Sequence, residues 1–222
     1  MTPSEAARYI DATYLKWTEP VGSFEEFCQS LLPYPFASIV VPPFLISRAK
    51  NVLVKQGSLI PVCTVIDFPL GVSGIREKKA LIAYAGKEGT SEVDVVSNLS
   101  LFRTSIDDFA EEIREIVDSA KEHALVVKII IETPLMKPEE WRRAGEVILL
   151  AKADYVKTGT GFFGPTSVEA VQAIHSLPEA TNRIKAAGGI RTAAEFFLML
   201  KAGASRIGTS TPLQILSSLN KP

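Results

Sequence analysis

A single-domain TIM (β/α)8 barrel of the α/β class is the fold this sequence predicts, and three observations predict it. Short apolar runs alternate with longer amphipathic segments eight times along 222 residues. The apolar runs are continuous rather than alternating, as in strands covered on both faces, and strict β–α alternation implies a parallel sheet. No low-complexity linker or shift in composition interrupts residues 1–222, and eight units in this length fit the small end of the barrel's size range. A doubly wound open sheet stays as the alternative, because periodicity does not separate closed sheets from open ones.

The strands are read in order as Arg8–Thr13, Phe36–Val41, Leu59–Ile66, Ser91–Ser97, Leu125–Glu132, Asp154–Thr158, Arg183–Ala186 and Ser205–Gly208. Helical patterns lie between them. Ser23-Phe24-Glu25-Glu26 reads as an N-cap followed by its capping-box glutamate. Ser105–Glu122 places Ile106, Phe109, Ile113, Ile116 and Val117 on one face and charge on the other. Pro138 sits in the first turn of the next helix, where a missing N–H costs nothing. Thr192–Ala202 ends at Gly203, a glycine suited to close a helix, and the last helix spans Pro212–Leu219.

Composition narrows the function classes. With 46% hydrophobic residues, 22% charged residues and a net charge of −1, the chain is of soluble globular type. It lacks the basic footprint that nucleic acid or an anionic membrane would need. Its first residues, MTPSEAARYIDATY, lack the apolar stretch of a targeting peptide, and apolar runs such as Leu125–Ile131 are too short to span a bilayer. Cys28 and Cys63 form no disulfide framework, so a reducing cytoplasm is the expected compartment. His123 and His175 lie far apart in helix-like stretches, so neither a histidine base nor a zinc site is expected.

The polar residues inside the strands collect in one region: Asp94, Lys128, Glu132, Lys157 and Lys185. Charge inside a buried strand is costly unless paired or functional. Lys128 with Glu132 fits a structural ion pair as well as it fits a site. Lys157 and Lys185 differ, because each ends a strand and precedes a glycine-rich loop. Neighbouring strands lie about 4.8 Å apart, so the two amines can approach. A second ammonium and partial desolvation both lower a lysine's pKa, which makes it a nucleophile able to form a Schiff base with a carbonyl. Asp94 is placed to move protons in that chemistry.

Loops after the seventh and eighth strands of such barrels commonly cradle phosphate on backbone N–H groups. Here those loops carry Gly188-Gly189 and Gly208-Thr209-Ser210. Two tight turns would read the same way singly; two in consecutive positions favour phosphate. Gly159-x-Gly161-x-x-Gly164 also matches a dinucleotide fingerprint. Against it, Pro165 and Thr166 put the helix start beyond the glycines, Glu179 precedes the next strand instead of ending it, and that strand carries Lys185.

Seven motifs in order resemble the deoxyribose-phosphate aldolase family: Asp11-Ala-Thr13-x-Leu-Lys16, CTVIDFPLG at Cys63–Gly71, EVDVV at Glu92–Val96, VKIIIET at Val127–Thr133, YVKTGTGF at Tyr155–Phe162, KAAGGIRT at Lys185–Thr192 and RIGTS at Arg206–Ser210. The resemblance implies a cofactor-independent and metal-free class I aldolase that reversibly cleaves 2-deoxy-D-ribose 5-phosphate to acetaldehyde and D-glyceraldehyde 3-phosphate. By that likeness Lys157 carries the imine, Lys185 perturbs its pKa and Asp94 takes part in proton relay. Lys128, Thr160 and Thr13 line the substrate site, and Gly161, Gly188, Gly189, Gly208 and Ser210 cradle the phosphate. A homo-oligomer is expected, with an apolar stripe on the helices holding Trp141 or Phe196-Phe197, unless those aromatics pack on the barrel. A class I aldolase for another phosphorylated sugar and a non-catalytic phosphate-binding barrel remain as alternatives.

The sequence departs from the family's usual pattern in several places. Gly159 replaces a small polar residue, Asp67 replaces a glycine, and Ala12 replaces a residue that is often larger. Phe162 stands where some members carry a phosphate-holding lysine, which puts phosphate affinity in question. Asn220-Lys221-Pro222 offers no tyrosine such as some members use at the C-terminus, so either slower catalysis or another group in that role is expected.

Overall fold

The computed structural model describes residues 1–219. Helix α1 (Pro3–Ala7) leads into strand β1 (Ile10–Thr13), followed by α2 (Val21–Leu31), β2 (Ser38–Val41), α3 (Ile46–Lys55), β3 (Val62–Ile66), α4 (Ile75–Lys87) and β4 (Glu92–Val96). The second half runs α5 (Leu99–Thr104), α6 (Ile106–Glu122), β5 (Val126–Ile130), α7 (Pro138–Leu150), β6 (Tyr155–Lys157), α8 (Val168–His175), β7 (Ile184–Ala187), α9 (Ala193–Ala202), β8 (Arg206–Thr209) and α10 (Pro212–Ser218). All neighbouring strands pair in parallel, and β8 pairs with β1 to close the barrel. The open-sheet alternative is thereby set aside.

The sheet is apolar outside and charged inside. On β4, Val93 and Val95 face the helices while Glu92 and Asp94 share the other parity, the period-two geometry of a strand. Outside, α6 lays Phe109, Ile113, Ile116 and Val117 against the sheet, as its 3.6-residue pattern dictates, with Ile106 at the margin. Burying a side chain of that size stabilises by roughly 1.5–3 kcal/mol.

Caps explain several helix boundaries. The Ser105 hydroxyl accepts from Asp108 N, Thr192 and Glu195 form a capping box on α9, and Gly203 closes that helix with φ +113°. Ser23 is not an N-cap: α2 begins at Val21 after the extended Pro20, which leaves Ser23 inside the first turn. Two short helices fall outside the sequence reading. Thr2 caps α1, and the Asn98 carboxamide caps α5 by accepting from Ser100 N and Leu101 N. Strand three starts at Val62 instead of Leu59, since Leu59 is almost fully exposed and Pro61 has no N–H to pair. Phe196 is buried in the core and Trp141 half-buried, its Nε1 donating to Thr133 O, whereas Phe197 and Leu198 are exposed. Asn220-Lys221-Pro222, and with them the expectation about a terminal tyrosine, lie outside the described residues.

Candidate active site

Parallel register decides which polar groups meet inside the barrel. Asp94 pairs with Lys128 across β4–β5, and Lys157 pairs with Lys185 across β6–β7. Ile130, two residues beyond Lys128, is the residue level with Lys157. Lys157 therefore stands one layer nearer the C-terminal mouth than Lys128, at the end of the barrel where active sites are built.

Asp94 is the hub. Its Oδ2 accepts from Lys157 Nζ at 2.7 Å and from Lys185 Nζ at 2.6 Å, and its Oδ1 accepts from Lys128 Nζ at 3.0 Å. Lys185 also lies 2.5 Å from Asp11 Oδ2, and Lys128 lies 2.5 Å from Glu92 Oε2. Arg206 closes the set, donating to Asp11 Oδ1 at 2.7 Å and to Glu92 Oε1 at 2.8 Å. Among the described residues of this network, four cations face three carboxylates, so one proton is in excess of charge balance.

The excess proton falls on Lys157. Burial lowers its pKa, the neighbouring Lys185 ammonium lowers it further, and Asp94 only partly opposes them. Burial also disfavours the ammoniums of Lys128 and Lys185, but there the carboxylates win. Asp94 first, then Glu92 and Asp11, hold Lys128 well above the ordinary lysine range; Asp11 and Asp94 raise Lys185. Burial opposes ionisation of Asp94, yet the three ammoniums hold its carboxyl well below the usual carboxylate range. Cys63, wedged beside Asp94 and Lys128, has its thiol pushed far up by burial and is a packing residue.

Lys157 opens onto a cavity of about 280 Å³. Thr13, Thr160, Gly161 and Phe162 line it on one side, with Gly188, Gly189, Gly208 and Ser210 on the other; Lys16 and Arg191 add cationic groups. Gly161, Gly188 and Gly189 all have positive φ, so the backbone turns as only glycine does readily. Gly208 makes room instead: a Cβ there would lie 2.9 Å from Ala187 Cβ and 3.2 Å from Lys185 Cε. Phe162 stacks on Trp17 at 5.8 Å between centroids and meets Phe68 edge-on at 5.4 Å. Phe68 lies over the amine, with Lys157 Nζ 5.8 Å from its ring centroid. Asp67, at φ +53°, is held by Ser73, whose N–H and hydroxyl both donate to its carboxylate. A more voluminous depression at the opposite end of the barrel, lined by Leu32–Ala37 and Gln56–Ile60, presents Arg8 as its only charged group.

Most sequence-expected residues are brought together: Lys157, Thr13, Thr160, Gly161, Gly188, Gly189, Gly208 and Ser210 on the cavity, with Lys185 and Asp94 directly beneath. Lys128 is the exception. Its side chain is fully buried a layer below, so it touches Asp94 and Glu92 and does not line the cavity. Nor does it pair with Glu132, because β5 ends at Ile130 and Glu132 turns away with φ +55°. The dinucleotide reading fails on geometry, since α8 starts only at Val168. Sequence reasoning gave no role to Asp11, Glu92 and Arg206. A period-two reading was the available signal, because Glu92 lies two residues before Asp94 on the same face. Among the described residues no group of three or more His, Cys, Asp or Glu side chains is arranged to hold a metal ion.

No family model matches the chain. Relatives named deoxyribose-phosphate aldolase do match over nearly the whole length. One from Caldicellulosiruptor saccharolyticus is 36% identical over 220 residues, covering 98% of this chain and 99% of the relative. Another, from Coprothermobacter proteolyticus, is 39% identical over 217 residues, covering 97% of both. Among solved structures, a tetrameric deoxyribose phosphate aldolase from Aeropyrum pernix superposes with a TM-score of 0.90 at 30% identity, covering 99% of this chain and 93% of that one. An aldolase designated QR15 gives 0.89 at 33% identity, covering 97% and 96%.

Proposed function

The chain belongs to the deoxyribose-phosphate aldolase family, and from that premise we propose how its residues perform the reversible cleavage of 2-deoxy-D-ribose 5-phosphate to acetaldehyde and D-glyceraldehyde 3-phosphate. The observation that carries the reading is Lys157: a buried amine with a lowered pKa, opening onto a cavity walled by glycine turns.

Lys157 Nζ, once deprotonated, adds to the C1 aldehyde of the open-chain sugar. The carbinolamine loses water, and the ammonium of Lys185, kept charged by Asp11 and Asp94, is the proton source nearest that step. The resulting iminium is again cationic, so it keeps its partner in Asp94 at the place the Lys157 ammonium held. The Lys185 amine left neutral by the dehydration takes the C3 hydroxyl proton, the C2–C3 bond breaks, and glyceraldehyde 3-phosphate leaves with the two-carbon enamine remaining on Lys157. Protonation at C2 and hydrolysis then release acetaldehyde. Asp94 is too acidic to hold a proton for long; it passes protons between lysines and steadies the cation.

The phosphate sits at the far end of the cavity, on backbone N–H groups of Gly188, Gly189 and Gly208 with Ser210 beside them, and Gly161 packs directly against Gly188. Arg191 and Lys16 supply the charge that Phe162 does not. The chain works as a homo-oligomer; the exposed Phe197 and Leu198 on α9 and the tetrameric Aeropyrum pernix relative support this. Among the described residues no helix is long and apolar enough to cross a membrane. Acetaldehyde release from 2-deoxyribose 5-phosphate, followed with a coupled dehydrogenase, tests the function. Turnover by the wild-type protein and none by Lys157→Ala is the expected result; turnover by both would exclude the mechanism.

A further inference from the structure

Glu132 is a buried carboxylate that the chemistry above does not use. It stands just past β5, 4% exposed, in a left-handed backbone conformation (φ +55°, ψ +61°) that non-glycine residues seldom adopt. One oxygen, Oε2, accepts from Thr160 N at 2.9 Å; the other, Oε1, is buried with no partner. Burial raises its pKa, and the side chain and N–H of Thr160 and the nearby Lys157 work against that. A strained backbone and a half-satisfied carboxylate both cost stability.

The contacts show what this arrangement holds. Thr160 begins the cavity-facing turn after Lys157, and its hydroxyl accepts from Phe162 N at 3.1 Å. Gly161 follows, packed so tightly on the opposite wall that a Cβ would lie 3.3 Å from Gly188 Cα. Pro134, in the turn that Glu132 opens, backs the same loop at Gly159 and Gly164. Gly159 leaves the space the carboxylate occupies, since a Cβ there would fall 2.9 Å from Oε1.

We propose that Glu132 is a positioning residue that, through the Thr160 N–H, fixes the Thr160–Phe162 turn and so sets the approach of Gly161 to Gly188 at the phosphate end of the cavity. The inference rests on the assignment of that end to phosphate. It separates binding from chemistry: Lys157 is held by β6 and Asp94, whereas the turn beyond it is held by Glu132.

The test compares 2-deoxyribose 5-phosphate with unphosphorylated 2-deoxyribose. Glu132→Ala is expected to raise KM for the phosphorylated sugar about tenfold, the size of one lost charge-assisted hydrogen bond, with kcat within about threefold. Its kcat/KM for 2-deoxyribose moves far less. Glu132→Gln keeps an oxygen for Thr160 N–H and is expected to stay within about threefold of wild type in KM. Glu132→Asp, one methylene too short, behaves like the alanine variant and serves if that variant does not fold. Equal losses on both sugars, a glutamine variant as impaired as alanine, or an unchanged KM in Glu132→Ala and Glu132→Asp would each overturn the proposal. All three variants still trap acetaldehyde on Lys157 with borohydride; a wild-type protein that neither traps nor turns over signals failure of the functional reading instead.

Discussion

Replacing Lys185 by leucine removes the charge that most directly keeps the Lys157 amine available. Both ammoniums reach the same oxygen of Asp94, at 2.7 and 2.6 Å, so their nitrogens are at most about 5.3 Å apart, the sum of those two distances. At an effective dielectric of 20, two unit charges at that separation repel by about 3 kcal/mol, roughly two pKa units. Both side chains are buried, so solvent screening takes little from this figure. Without Lys185 the network has three cations for three carboxylates, and Asp94 Oδ2 is left to Lys157 alone. The Lys157 pKa rises, and the fraction of free amine at neutral pH falls. The assay is the rate of imine formation with acetaldehyde from pH 5 to 10, with circular dichroism confirming the fold. The limb reporting amine deprotonation is expected to move up by about two pH units. A slower enzyme whose profile stays in place would refute the argument, because Lys185 would then act only in the chemistry or the packing.

Asp94→Asn leaves three buried ammoniums without their common partner and is expected to cost about 3–5 kcal/mol in urea unfolding as well as turnover. The carboxyls of Asp11 and Asp94 are both depressed, so the stability they add is full above about pH 4, the unfolded carboxyl range, and is lost as pH falls below it; acid titration of the unfolding midpoint checks the sign. Gly208→Ala forces a methyl against Ala187 and Lys185, with about 1–3 kcal/mol lost in thermal unfolding and a lower kcat. Phe162→Lys puts a cation at the cavity mouth, worth roughly 0.2–1 kcal/mol there, and is expected to lower KM for the phosphorylated sugar severalfold while changing the fluorescence of the unstacked Trp17.

The barrel was legible because its strands are short, largely apolar buried runs and its helices carry one apolar stripe, so two patterns alternate along the chain. Lys157 and Lys185 were legible because charge in an apolar strand beside a glycine-rich loop has few uses; Lys157 does end β6, whereas Lys185 is the second residue of β7. The rest needed three dimensions. Asp11 and Arg206 meet across the β1–β8 closure, 195 residues apart in sequence, and no local pattern announces such a pair. The depth of Lys128 depends on stagger between β5 and β6 that spacing does not encode. Glu132 looked like the partner of Lys128 because the two share strand parity, but the strand ends before Glu132 and its side chain serves the next loop. Ser23 misled for a simpler reason: Pro20 sets an earlier start to α2 than any side-chain cap.

The central claim is that Lys157, among the four cations of the interior network, is the one whose nitrogen bonds to the substrate. Incubation with acetaldehyde and borohydride, followed by peptide mapping, addresses it directly. An ethyl group confined to Lys157 is the predicted result. Modification of Lys185 or Lys128 in its place, or turnover with no adduct on any lysine, would contradict the account.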